Sequence, residues 1–295
     1  MQQPNPAPPT IPSFQAYVDD RRYLKNVSAK TLEWYKDAWK AFGPHIEPIL
    51  AVGAPLSGGL MTAIVALQNK KVRSVSINSY LTCVRAYVNW LHAEGFLKDK
   101  PRVQLLKYEH KVLATFSPAH VKALLAFKPK GTNECRTWPA VCVMLDAGPR
   151  LSEVLGLRKT DIDLDNLLLR LRGKGNKQRL VPMSLELRKI LYRYLLKQKY
   201  DLVFGTRNGT RVTNRNFQRD FRAICQKLHI TGVRCSPHTL RHTFAVSYLR
   251  NGGNLFYLSK ILGHTSVKTT ERYSQSLGVE DLQAVHNGLS LLSPK

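Results

Sequence analysis

The sequence predicts a mainly α-helical protein with one small β-sheet, arranged as two domains. Three observations carry that prediction. Apolar residues recur at three- and four-residue spacing through most of the chain, as they do in helices with one buried face. The pattern breaks once, where two β-like runs, 167–171 and 179–182, flank Arg172-Gly-Lys174-Gly-Asn-Lys177-Gln. Glycine and asparagine there supply the positive φ that a tight hairpin needs. And 295 residues is long for one domain and comfortable for two.

Residues 1–12 carry five prolines and are expected to form a disordered lead. Phe14, Tyr17 and Val18 then begin a helix. Ser28 caps a second, holding Leu32, Trp34, Tyr35, Ala38, Trp39 and Phe42 and ending before Gly43-Pro44. Residues 43–59 read as a Pro/Gly-rich loop, 60–67 as a third helix, and 75–94 as a fourth that stops at Gly95. This four-helix bundle spans 13–101, and the mixed stretch 102–116 reads as a linker.

The second domain, 117–295, opens with Ser117-Pro118 at a helix start. An apolar helix over 137–147 ends at Gly148. Asp161, Asp163 and Asp165 look like a turn ahead of the hairpin. Ser184 caps a helix over 184–198, and Val203-Phe204 is brief and extended. Arg211, Arg215, Arg219 and Arg222 form a guanidinium stripe on one face of a helix behind Thr213-Asn214. Phe217, Phe221, Ile224 and Leu228 give that helix its buried side. The tail 279–289 places Val279, Leu282, Val285 and Leu289 on one helical side, which fits a helix that caps its own domain.

Composition narrows the function. Forty-five basic residues against 20 acidic ones leave a formal charge of +25 and a pI near 10.1. An excess of that size implies a polyanionic partner, nucleic acid by default. It is uneven: residues 1–110 carry net +6 and 111–295 net +19. The five cysteines are scattered, without Cys-x-x-Cys, which argues against a disulfide framework or zinc site and fits a reducing cytosol. With no signal pattern and no membrane-length apolar run, a cytoplasmic, nucleoid-associated protein without membrane contact is expected.

The last third holds the chemistry. In Ser236-Pro237-His238-Thr-Leu-Arg241, serine is the N-cap and proline the first helical residue, so His238 and Arg241 share one face. His264 follows Leu-Gly, and Tyr273 comes nine residues later. Two proton movers, a fixed cation and a phenol suit phosphoryl transfer without a metal. Taken singly, each is more often structural: most of nine His and twelve Tyr residues pack or face solvent.

In this order the residues resemble the tyrosine recombinases, the phage-integrase family, in its Xer-like two-domain form. Asp-Ala-Gly-Pro-Arg150-Leu-Ser-Glu153 matches the family's Arg-x-x-Glu junction. Pro149 departs from it, replacing a usual apolar residue. His-x-x-Arg, Leu-Gly-His and the tyrosine follow at matching separations. The resemblance is close over 137–275 and loose over 13–101, where Thr31–Tyr35 and 76–96 are similar to the SAM-like core-binding domain.

The resemblance implies a site-specific DNA recombinase working through a 3′-phosphotyrosine and a free 5′ hydroxyl, without ATP, metal or other cofactor. Arg150 and Arg241 would clamp the non-bridging oxygens, a task suited to planar guanidinium forks. Tyr273 would be the nucleophile, His238 the general base, and His264 a phosphate or orienting ligand. Lys174, with Lys177 as alternative, would protonate the leaving oxygen. Glu153 would orient an arginine. Arg73, Arg85, Lys177, Arg211, Arg215 and Arg219 are candidate DNA contacts. Taken singly, Arg73 and Arg85 read first as a solvated helix face. The arginine stripe reads first as facing DNA phosphates, with a solvated amphipathic face as the coexisting alternative. The implied partners are double-stranded DNA, a homo-tetramer on two sites and accessory directionality factors. No separate arm-binding domain is expected ahead of residue 13. Three other readings compete: a type IB topoisomerase, a non-catalytic DNA-binding module, and an RNA-binding protein, which lacks the expected aromatic-rich sheet motifs.

Overall fold

The computed structural model describes residues 11–108, 114–173, 177–264 and 266–289. The chain divides into two compact units, Met1–His110 and Lys111–Lys295.

The first unit packs four helices: α1 (Phe14–Tyr23), α2 (Ala29–Ala51), α3 (Ser57–Asn69) and α4 (Ser74–Ala93). Ser13 and Ser28 cap the first two, each side chain accepting from the backbone N–H three residues on. Aromatic rings fill the centre, with Phe14 stacked on Trp39 at 4.1 Å and edge-on to Tyr87 at 5.2 Å.

The expected end of α2 at Gly43 is corrected: the helix runs on to Ala51 with Pro44 and Pro48 inside it. An interior proline removes a helical hydrogen bond and ordinarily breaks the helix. Here Phe42, Ile46 and Leu50 continue one buried stripe across both prolines. Trp39 donates from its indole to Glu47 at 2.9 Å, fastening the turns on either side of Pro44. Gly43 makes room for that indole, since a Cβ would lie 2.7 Å from Trp39 Nε1.

This unit also reaches past residue 101. Val103 is buried in its core, and the Asn78 side chain pairs with both backbone groups of Leu106. The start of the expected linker is therefore held by the bundle. Of the expected N-terminal lead, residues 1–10 lie outside the described residues, while the Pro12 carbonyl accepts from the Tyr87 hydroxyl at 2.7 Å.

The second unit contains α5 (Pro118–Ala126), α6 (Thr132–Ala147), α7 (Leu151–Val154), β1 (Ile162–Asp163), β2 (Leu168–Arg172), β3 (Gln178–Pro182), α8 (Leu185–Leu195), α9 (Asn214–Lys227), α10 (Pro237–Arg250), α11 (Leu255–Leu262), α12 (Lys268–Ser274) and α13 (Val279–Leu289). Its main core gathers α6, the sheet, α8 and α9 around Val143, Leu171, Val181, Leu191, Phe217 and Phe221. A smaller cluster joins α10, α11 and α12 through Val246, Leu258, Leu262 and Tyr273.

The sheet is antiparallel in the order β1-β2-β3. The hairpin strands stand where the sequence put them, with Leu171 opposite Arg179. The aspartate run is more than a turn. Ile162 and Asp163 pair with β2 as a third strand, Asp161 is buried against Arg172, and Asp163 closes the turn by accepting from the N–H groups of Asp165 and Asn166.

The arginine stripe also needs correction. Thr213 caps α9, so Arg211 precedes the helix and donates to the Ser152 carbonyl. Arg215, Arg219 and Arg222 are exposed on α9. On α13, Val279 and Leu282 are 71% and 57% exposed, so this side of the tail does not cap its own unit. Among the described residues no helix is long and apolar enough to cross a membrane.

Candidate active site

Five of the six proposed catalytic residues are described, and they come from helix ends. Ser236 accepts from Thr239 N–H and Pro237 is the first residue of α10, as expected. Arg241, one turn into this helix, is 4% exposed. Its Nη1 donates to the Gly148 carbonyl at 2.7 Å and its Nη2 to the Leu262 carbonyl at 2.8 Å. These are the C-terminal ends of α6 and α11, closed by glycines in the left-handed region, Gly148 at φ 62° and Gly263 at φ 66°. Unsatisfied carbonyls and the negative dipole end of a helix both favour a cation there. Burial pushes Arg241 down to about 10, leaving it charged at neutral pH.

The same Nη2 lies 3.0 Å from His264 Nε2. A guanidinium has no lone pair to offer, so Nε2 is the acceptor and the ring is neutral. The proton then sits on Nδ1, which donates to Thr270 Oγ1 at 2.7 Å. Burial, followed by the charges of Arg241, Arg150, Arg272 and Arg179, lowers the His264 pKa to about 4. His238 is lowered in the same direction, by burial and then by Arg272, Arg241, Arg234 and Arg150. Both imidazoles are thus kept neutral, and His238, exposed at the start of α10, is free to accept a proton.

Tyr273 is 1% exposed on α12. Its hydroxyl accepts from Arg272 Nη2 at 3.4 Å, and the same guanidinium lies over its ring with Cζ 5.1 Å from the centroid. The His264 ring stacks 6.1 Å away at 16°, and His242 lies 5.1 Å away. Phenol, guanidinium and imidazole therefore meet in one place.

Arg150 is the N-cap of α7. Pro149 leaves it extended, and Glu153 accepts from its backbone N–H at 2.7 Å and from Nη1 at 3.2 Å. Its Nη2 donates to the Gly263 carbonyl at 3.2 Å. Burial raises the Glu153 pKa, but hydrogen bonds and charge from Arg179, then from Arg150, outweigh it and hold the carboxyl below the usual range. Glu153 pairs with Arg150 and Arg179, and Arg241 takes main-chain carbonyls.

Lys174 lies outside the described residues. Lys177 is exposed at the foot of β3, Arg73 is exposed at the N-cap of α4, and Arg85 is half-buried within α4. Arg215 and Arg219 stand on α9, Arg219 forked onto Asp220. Within the second unit, no hydrogen bond or ion pair among the described residues joins Lys177, Arg215 or Arg219 to Arg241, His264 or Tyr273.

Three contributors were missed in the sequence. Thr270 fixes the His264 tautomer, Arg272 covers Tyr273, and Arg179 grips Glu153. For Arg179 a signal existed: strand alternation puts it on the face of Val181, which is fully buried, so a cation there required a buried anion.

The family model described as the phage integrase family matches residues 115–278, more than half of the chain. The chain belongs to the phage integrase family. It is 30% identical to the tyrosine recombinase XerD of Lacticaseibacillus casei, over 94% of this chain and 97% of that one. With XerD of Pseudomonas aeruginosa the identity is 31% over the same shares. Among solved structures, the Tn1549 transposon integrase in complex with transposon right-end DNA shares the fold, with TM-score 0.76 at 20% identity over 93% of this chain and 98% of that one. Within the integrase family this chain is a site-specific tyrosine recombinase, and the topoisomerase and non-catalytic readings are not favoured.

Proposed function

We propose that the chain cuts and rejoins double-stranded DNA through a phosphodiester bond to Tyr273. The observation that carries the reading is the chain of contacts from Arg241 to His264 Nε2 and from the His264 ring to the stacked ring of Tyr273. A phosphodiester repels nucleophiles and has a poor leaving group, so its non-bridging oxygens must be neutralised and its departing oxygen protonated. Arg150 and Arg241 supply the fixed positive charge. Tyr273 Oη attacks phosphorus and the bond to the 5′ oxygen breaks. His238, neutral at physiological pH, takes the phenolic proton, and Lys174 or Lys177 returns one to the leaving oxygen. The bond energy stays in the 3′-phosphotyrosine until another 5′ hydroxyl attacks it.

The assembly we propose is a tetramer on two DNA sites, acting in the cytoplasm on the nucleoid, with accessory factors setting direction. Exposure of Val279 and Leu282 on α13 supports a partner for that face. Arg73, Arg85, Arg215, Arg219 and Lys177 are the proposed phosphate contacts. Arg211 is a weaker candidate, because its guanidinium already holds Ser152.

The test is covalent trapping without divalent metal, on plasmid carrying the DNA that flanks the gene. Wild type is expected to form a protein–DNA adduct and Tyr273→Phe none. An adduct that persists in the Phe variant would remove Tyr273 as nucleophile.

A further inference from the structure

We propose that Arg179 is a positioning residue whose task is to keep Arg150 available for a phosphate. The proposal rests on the reading of Arg150 as a phosphate clamp. Glu153 is 4% exposed, and its two oxygens receive four donors. Arg179 supplies the close, forked pair, Nη1 to Oε1 at 2.7 Å and Nη2 to Oε2 at 2.9 Å. Arg150 supplies its backbone N–H and a single guanidinium contact at 3.2 Å. The exposures agree: the side chain of Arg179 is 15% exposed and that of Arg150 is 42%. One arginine neutralises the buried carboxylate while the other touches it lightly. Fork-to-fork pairing is the strong form of this interaction, and a buried carboxylate deprived of it draws in the nearest cation. Without Arg179 that cation is Arg150.

A second observation ties Arg179 to the rest of the site. Its Nε donates to the Ile261 carbonyl at 2.8 Å. The next carbonyl, Leu262, receives Arg241, and the next, Gly263, receives Arg150. Three guanidiniums therefore sit on three successive carbonyls at the end of α11, immediately before His264. Gly263 is needed for this seat, because a Cβ there would come within 2.9 Å of Arg179 Cζ. Arg179 is the member held most firmly on both sides, and it fixes the carbonyls on which the other two rest.

The test uses the full chain in two arms. In the first, DNA-free protein labelled with ¹⁵N-arginine is followed by NMR, with Arg150→Lys assigning the Arg150 side-chain signal. Arg179→Ala is expected to slow exchange of the Arg150 Nε–H with water at least about tenfold, as Glu153 captures it. Adding Glu153→Gln should restore fast exchange. Unchanged exchange in Arg179→Ala overturns the proposal, whether or not the chain cleaves the plasmid DNA. In the second arm, single-turnover adduct formation at Tyr273 should fall about 10²-fold in Arg179→Ala, the scale of a small misplacement of a reacting group. DNA affinity should stay within about threefold, and the double variant should recover about tenfold of the lost rate. A double variant no faster than Arg179→Ala would reduce Arg179 to a structural prop. Arg179→Lys, which keeps the charge but not the fork, should fall between. If wild type forms no Tyr273-dependent adduct, the functional reading fails in the second arm while the first still decides the role of Arg179.

Discussion

At the scale of single residues, the protein keeps His264 neutral by burying it and then by surrounding it with positive charge. A neutral ring with its proton on Nδ1 can accept from Arg241 and donate to Thr270 at once. This has a consequence for stability. The folded His264 titrates near 4 against 6.5 in the open chain, so below 6.5 the unfolded chain binds more protons. Its contribution is therefore complete above pH 6.5 and is lost as pH falls towards 4. His238, lowered in the same direction, adds to the loss. Urea midpoints compared at pH 7.5 and 5.0 should drop further in wild type than in His264→Gln, whose amide still accepts from Arg241 but does not titrate. An equal drop in both would show that His264 does not carry the effect.

At the scale of elements, α12 is the weak member. It is seven residues long, has no side-chain cap, and is held mainly by the burial of Thr270 and Tyr273. Isolated helices of that length are marginal, so it depends on packing. Yet Tyr273 at 1% exposure cannot reach a phosphate from solvent without displacement of α12. Amide exchange across 268–274 should be at least about tenfold faster than across α10, and DNA should change it most there. Protection equal to that of α10, unaltered by DNA, would count against a moving α12. The elements also differ in how far they could be read from sequence. Caps were legible because they are local: Ser28, Ser117, Ser184 and Ser236 each accept from the N–H three residues on. The hairpin was legible from its turn residues. The continuation of α2 through Pro44 was not, because it depends on Trp39 reaching Glu47 and on a stripe that tertiary packing rewards. Nor was the Arg179 seat, whose partners lie 26 and 82 positions away.

At the scale of the whole molecule, charge sets the terms of binding. Residues 111–295 carry net +19, and the exposed arginines of α9 lie within that stretch. DNA affinity should fall steeply with salt, through counterion release. Arg215→Ala should reduce the slope of log K against log salt by about 1, weakening binding to all sequences alike. A wild-type slope retained in that variant would place Arg215 away from the phosphates.

The carbonyl seats of the three arginines also bear on which substitutions the chain tolerates. A main-chain oxygen is the same whatever side chain its residue carries, so the identity of Ile261 or Leu262 matters only for packing. Sequence becomes decisive at the two places where the backbone must turn left-handed, Gly148 and Gly263. At Gly148 a Cβ would also lie 2.2 Å from Phe244. Between Gly148 and Arg150 stands Pro149, just ahead of the extended N-cap of α7. In a saturation library scored for adduct formation, position 149 should accept many residues, while 148 and 263 should accept almost none.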